Sequence, residues 1–180
     1  MTRWHKYWPM LLVVLFCTIP SDARAESNIT EWNTRPRFND LATWIVGSPT
    51  EVRCVNLDPG IDGEVWFRDG HAEHIIYMRG DVCGYLNLVV NYRTATHRVR
   101  SFVTYEDNLN MIGNAIMTIE HESMHIKLDN TDESITECTA LRNVWNTIKY
   151  LGLSRNLTKK LYRGAIASHN TLPSNYRVGC

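Results

Sequence analysis

The five residues His121-Glu122-Ser123-Met124-His125 limit what this chain can fold into more than any other feature. Two histidines four apart share one face of a helix, where both imidazoles reach a single point. In an extended strand the same pair would stand about 13 Å apart, too far to share an ion. The pattern therefore requires a helix, and a second element that completes the coordination. Glu122, beside the first histidine, is placed to hold and deprotonate a water on a metal bound there. The preceding residues agree. Leu109, Ile112, Ala115, Ile116 and Ile119 recur at intervals of three and four, which predicts a helix over 108–127.

The rest of the second half also reads as helical. Ile135, Cys138, Leu141, Val144, Trp145 and Ile148 form the apolar stripe of a helix over 132–150, with Asn130 as its predecessor's C′ residue, Thr131 as its N-cap and Gly152 as its end. Ser154 caps a third helix that carries Leu157, Leu161, Ala165 and Ile166 and stops before Pro173. The first half is mixed. Residues 26–48 show no firm periodicity, and short β-rich runs follow at Glu51–Val55, Glu64–Phe67 and His74–Met78. Turn chemistry at Asp58-Pro59-Gly60, Asp62-Gly63 and Asp69-Gly70 separates them. Cys83–Tyr92 reads as helix or strand, and Thr96–Tyr105 as extended chain or loop. The expectation is one α+β domain over 26–180, with a β-containing part at 26–107 packed on a helical part at 108–180.

The N-terminus reads as an address. Arg3, His5 and Lys6 precede the apolar run Met10–Ile19, and Ala23-Arg24-Ala25 supplies a cleavage site, so residues 1–25 form a signal peptide with Glu26 first in the mature chain. The run is too short for a transmembrane helix, and Phe16 before Cys17 argues against a lipoprotein. An exported chain with Cys54, Cys83, Cys138 and Cys180 predicts two disulfides out of three possible connectivities. The expected pairing is Cys54–Cys83 and Cys138–Cys180. With 19 Lys+Arg against 19 Asp+Glu, no charge excess points to nucleic acid or to anionic lipid.

Thr118 and Ile119 before the pentapeptide, and Ser123, Met124 and Ile126 within and after it, resemble the extended signature of zinc metallopeptidases; Lys127 departs from it. A further His or Asp six residues on is excluded, because Thr131 stands there. Glu133, Asp132 and Asp129 remain as third-ligand candidates. Asp132-Glu133-Ser134-Ile135-Thr136-Glu137 is similar to the acidic second helix of gluzincins. That resemblance implies Glu133 as third zinc ligand and Glu137 as the carboxylate orienting His121, in a zincin-like fold. Glu133 and Glu137 are i and i+4, hence on one helix face, and only residues 126–132 connect them to His125. The combination with Leu172-Pro173-Ser174-Asn175-Tyr176-Arg177 and Cys180 also resembles a group of small exported actinobacterial proteins.

The resemblance implies a secreted zinc metallopeptidase that acts on peptide or protein substrates through Glu122. Two other classes stay open: a catalytically silent zinc-binding or interaction module of the cell surface, and a cell-wall amide hydrolase. His169, Tyr162 and Tyr176 are downstream candidates for steadying an oxyanion. His71 and His74 read as surface histidines, and Asn28 and Asn156 open formal glycosylation sequons.

Overall fold

The helix predicted over 108–127 runs from Glu106 to Leu128, and most of the other elements pack against it. In this computed structural model residues 36–94, 97–177 and 180 are described. The expected signal peptide and cleavage site, Trp32 and the Asn28 sequon lie outside the described residues. In chain order the elements are α1 (Pro36–Val46), β1 (Glu51–Val55), β2 (Gly63–Arg68), β3 (His71–Arg79), α2 (Gly80–Val90), α3 (His97–Val103), α4 (Glu106–Leu128), α5 (Glu133–Tyr150) and α6 (Arg155–Thr171). Short 3-10 turns follow α2 and α6, at Tyr92–Thr94 and Ser174–Tyr176. The fold is α+β and mostly helical.

Every residue from Ala115 to Ile126 on α4 is buried, polar ones included. A helix covered on all sides is a core helix, and α4 is enclosed by α1, α2, α5, α6 and the sheet. Against α6 it makes a backbone-to-backbone crossing. A Cβ on Gly113 would stand 2.5 Å from Ala165 N, and one on Gly164 would stand 2.5 Å from Leu109 O. Lys127, the residue that departs from the metallopeptidase signature, donates to Ile45 O at 2.8 Å and so ties α4 to α1.

The sheet has the order β1-β3-β2. β1 runs parallel to β3, with Glu51 opposite Ile75. β2 and β3 form an antiparallel hairpin closed by Arg68 and His71. Its two loop residues, Asp69 (φ 53°) and Gly70 (φ 86°), both take positive φ, which the twist of a two-residue hairpin favours. β2 is thus an edge strand facing α4.

Both disulfides have the expected pairing. Cys54–Cys83 joins β1 to α2, and Cys138–Cys180 joins α5 to the C-terminal tail. Two covalent links of this kind are consistent with an extracellular protein. Among the described residues no helix is long and apolar enough to cross a membrane.

Three local expectations change. Residues 97–103 are helical, where extended chain or loop was expected; Val103 is completely buried, so packing on α4 overrides the β-branched residues' weak helix propensity. Within 26–48, α1 buries Phe38, Leu41, Ala42 and Ile45, a helical spacing too short to stand out from its polar surroundings. At the α4–α5 connection the turn residue is Asp129 and the N-cap is Asp132, not Asn130 and Thr131. Asp129 takes φ 48°, ψ 49°, and Asp132 accepts from Ile135 N at 3.0 Å.

Candidate metal centre

The turn after α4 assembles the site. Asp129 N bonds Ile126 O at 3.2 Å and Asn130 N bonds His125 O at 3.2 Å, the paired pattern of a Schellman turn. The reversal brings Asn130 O to 2.7 Å from His125 Nδ1. It also starts α5 at Glu133, so the first carboxylate of the new helix falls back over α4. Asp132 caps that helix, and the acidic first turn suits its positive end.

His121 Nε2 and His125 Nε2 are 3.0 Å apart, and Glu133 Oε2 lies 3.0 Å from the first and 3.4 Å from the second. His121, His125 and Glu133 form a group that can hold a metal ion. The donor chemistry supports the fit. Asn130 O is a carbonyl, so His125 Nδ1 must donate to it, and His125 Nε2 then presents a lone pair. His121 Nδ1 lies 2.7 Å from Glu137 Oε2, which fixes the same tautomer there. Both Nε2 atoms therefore face the Glu133 carboxylate oxygen, and an ion that displaced the proton they share with it would meet two nitrogen lone pairs and one oxygen. Donors about 2.0–2.1 Å from a tetrahedral centre stand about 3.3 Å from one another, which matches the spacing here.

The electrostatics point the same way. Burial works to lower the pKa of His121, but its bonds to Glu133 and Glu137, with the charges of Glu122 and Glu137, raise it to about 10. His125 is also raised, against its own burial, by Glu133, Asn130 O and Glu122. Burial works to raise Glu133, and the two histidines nevertheless bring it down to about 2. The surroundings thus favour positive charge at the convergence point.

Glu122 is buried, with 6% of its surface exposed, and makes no hydrogen bond among the described residues. Burial raises its pKa to about 7, opposed by His121 and His125 and reinforced by Glu133 and Glu64. It faces a cleft of about 480 Å³ between β2, α4 and the segment after α6. Gly63, where β2 begins, permits the strand to approach: a Cβ there would stand 2.8 Å from both Glu122 Cγ and Thr118 Cγ2. Tyr176 closes the opposite side, its ring centroid 6.3 Å from that of His121. Burial, then Glu133, Glu122 and Glu137, raise the phenol, which stays protonated at neutral pH.

The other candidates separate cleanly. Asp129 bonds His71 Nδ1 at 2.6 Å and Ala72 N at 2.8 Å, and Asp132 serves as a cap, so neither joins the donor cluster. Tyr162 packs edge-on against Trp145 at 5.2 Å, away from the cleft. His169 is buried, and its Nδ1 lies 2.8 Å from Glu137 Oε1. His71 and His74 sit at the surface, as expected. Sequence reasoning missed Asn130 O and Gly63, because a carbonyl leaves no trace in a sequence and a glycine's missing Cβ matters only once its neighbour is known. Comparison with protein-family profiles, curated proteins and solved structures finds no match for this chain.

Proposed function

We propose that this protein is an exported zinc-dependent hydrolase of zincin type that cleaves peptide bonds. The observation that carries the reading is the convergence of three candidate ligand atoms beside a buried carboxylate, Glu122, that has no hydrogen-bond partner among the described residues. Two imidazoles and one carboxylate are a usual protein ligand set of catalytic zinc, which keeps a further position open. His121, His125 and Glu133 would hold the ion. When bound, zinc supplies Lewis acidity, making water a nucleophile near neutral pH and polarising a carbonyl.

Glu122 takes one proton from the attacking water and returns it to the departing nitrogen, so the amide bond breaks with no net change in the protonation of the enzyme. Its carboxyl is available for this because nothing else engages it. Tyr176, protonated and at the cleft wall, donates toward the oxygen that gains charge as the carbonyl carbon becomes tetrahedral. Glu137 and Asn130 O hold the two imidazoles in the tautomer that leaves Nε2 free. The edge strand β2 lines the cleft through Gly63, Glu64, Val65 and Phe67, which suits an extended chain.

The test joins metal analysis to hydrolysis. Purified mature protein should contain one zinc per chain and cleave members of a mixed-sequence peptide library, with activity lost to a chelator and restored by zinc. Glu122→Gln should keep the metal and lose at least about a hundredfold in turnover. Zinc bound with no cleavage of any peptide would reduce the protein to a metal-binding module, and protein without metal affinity would end the reading.

A further inference from the structure

We propose that His169 is a positioning residue of the metal centre, holding Glu137 so that Glu137 in turn holds His121. The proposal rests on the metal-centre reading above. Glu137 is 1% exposed and both of its carboxylate oxygens are committed: Oε2 to His121 Nδ1 at 2.7 Å, Oε1 to His169 Nδ1 at 2.8 Å. The three residues come from α4, α5 and α6, so one carboxylate joins three helices. A glutamate held at one oxygen keeps rotational freedom about its terminal bond. Held at both, it presents a fixed acceptor to His121.

His169 has no other role in view. It is absent from the cleft lining, so it does not meet substrate there. A buried imidazole kept only for packing would cost desolvation that an apolar side chain avoids. Its own position is firm. Ser168, the preceding residue, donates to Asn114 Oδ1 on α4, and Asn114 Nδ2 donates to Asp62 Oδ2 at 2.7 Å. The glycine crossing holds α6 against α4 one turn earlier. His169 is therefore a rigid post against which the Glu137 carboxylate is set.

Partners outside the ligand shell commonly change metal affinity by about ten- to a hundredfold when removed. One step further out, we expect the lower figure. The experiment measures zinc affinity by chelator competition, and the visible absorption of the cobalt(II)-loaded protein, for wild type, His169→Leu and His169→Asn. His169→Leu should bind zinc about tenfold more weakly and shift the cobalt bands. His169→Asn, whose side-chain N–H can stand near the position of Nδ1, should return to within about threefold of wild type with the original bands. A cycle with Glu137→Ala secures the route: His169→Leu should add no further loss in that background. Equal zinc affinity in His169→Leu and wild type would overturn the proposal, as would an equal loss with and without Glu137. If His169→Leu does not fold, an Asn variant as weak as Glu137→Ala overturns it as well. Wild-type protein that binds no metal would instead sink the metal-centre reading itself, and this proposal with it.

Discussion

Gly113→Ala should be among the most damaging small substitutions in this protein. The added Cβ would meet Ala165 N and Gly164 C at 2.5 Å and Gly164 Cα at 2.8 Å. Carbon contacts are comfortable from about 3.5 Å, so α6 must retreat by roughly 1 Å. No side chain can rotate to absorb the clash, because the atoms met are backbone. Overpacking costs about 1–3 kcal/mol where side chains can adjust, and more where they cannot. Alanine recovers about 1 kcal/mol of helix propensity over glycine. A net loss of about 3 kcal/mol follows, which lowers Tm by about 10 °C in a chain of this size. Gly84→Ala is the matched control. That glycine lies within α2, and a Cβ there meets nothing within 4 Å. The same exchange should raise stability by roughly 0.5–1 kcal/mol and Tm by a few degrees. Thermal unfolding by circular dichroism, on oxidised and metal-free protein, reads both. A Gly113→Ala variant as stable as Gly84→Ala would show that α4 and α6 do not meet at their backbones, and the account of how His169 is held would go with it.

Other perturbations reach separate parts of the molecule. Glu120 is fully buried and accepts from Thr147, and burial raises its pKa to about 7 despite Thr147 and the charge of Lys127. The unfolded chain loses that proton near the ordinary value, 4.5, so the part of the stability that Glu120 supplies should fall as pH rises from there to about 7 and then level off. A like contribution from Glu122 and a later one from His121 stand beside it. Glu120→Gln should flatten the slope by up to about 3 kcal/mol across the window, read from urea unfolding at each pH; equal slopes in wild type and variant would refute it. Asp132→Ala removes the α5 cap beside Glu133 and should cost about 1 kcal/mol and weaken zinc binding, both measurable by calorimetry. Unchanged affinity would mean that the cap does not set the ligand. Replacing Cys138 and Cys180 by Ser opens a loop spanning 42 residues, which should cost about 4 kcal/mol of unfolding free energy and slow peptide cleavage by freeing Tyr176. Full activity in that variant would mean that the disulfide does not hold Tyr176 in place.

The sequence showed those parts of the site whose spacing is local. His121, Glu122 and His125 lie within one helix, and Glu133 and Glu137 within the next, so a helical period alone puts them on shared faces. The disulfide pairing was legible because each cysteine pair falls within one half of the chain. What stayed hidden depends on partners distant in sequence. The contact of His169 with Glu137 crosses from α6 to α5, and no periodicity in either helix announces it. The strand β2 was visible as a β-rich run, yet its place at the sheet edge, against Glu122, depends on β3 pairing with β1 on its other side. The helix at His97–Val103 was missed for the same reason: Val103 is helical because of what covers it.

The donor cluster and both of its hydrogen-bonded supports, Asn130 O and Glu137, lie within residues 121–137. Closing so short a loop carries little entropic penalty, and contacts of such low sequence separation form early and fast. A helical hairpin of this kind is a local cassette, braced from outside by His169. On the proposed reading the ligand atoms come from one stretch of chain, and the sheet, the cleft walls and the C-terminal tail determine what approaches them. If the proposed function holds, substrate choice is free to drift, or to be redesigned, along β2 and the tail while the hairpin stays as it is.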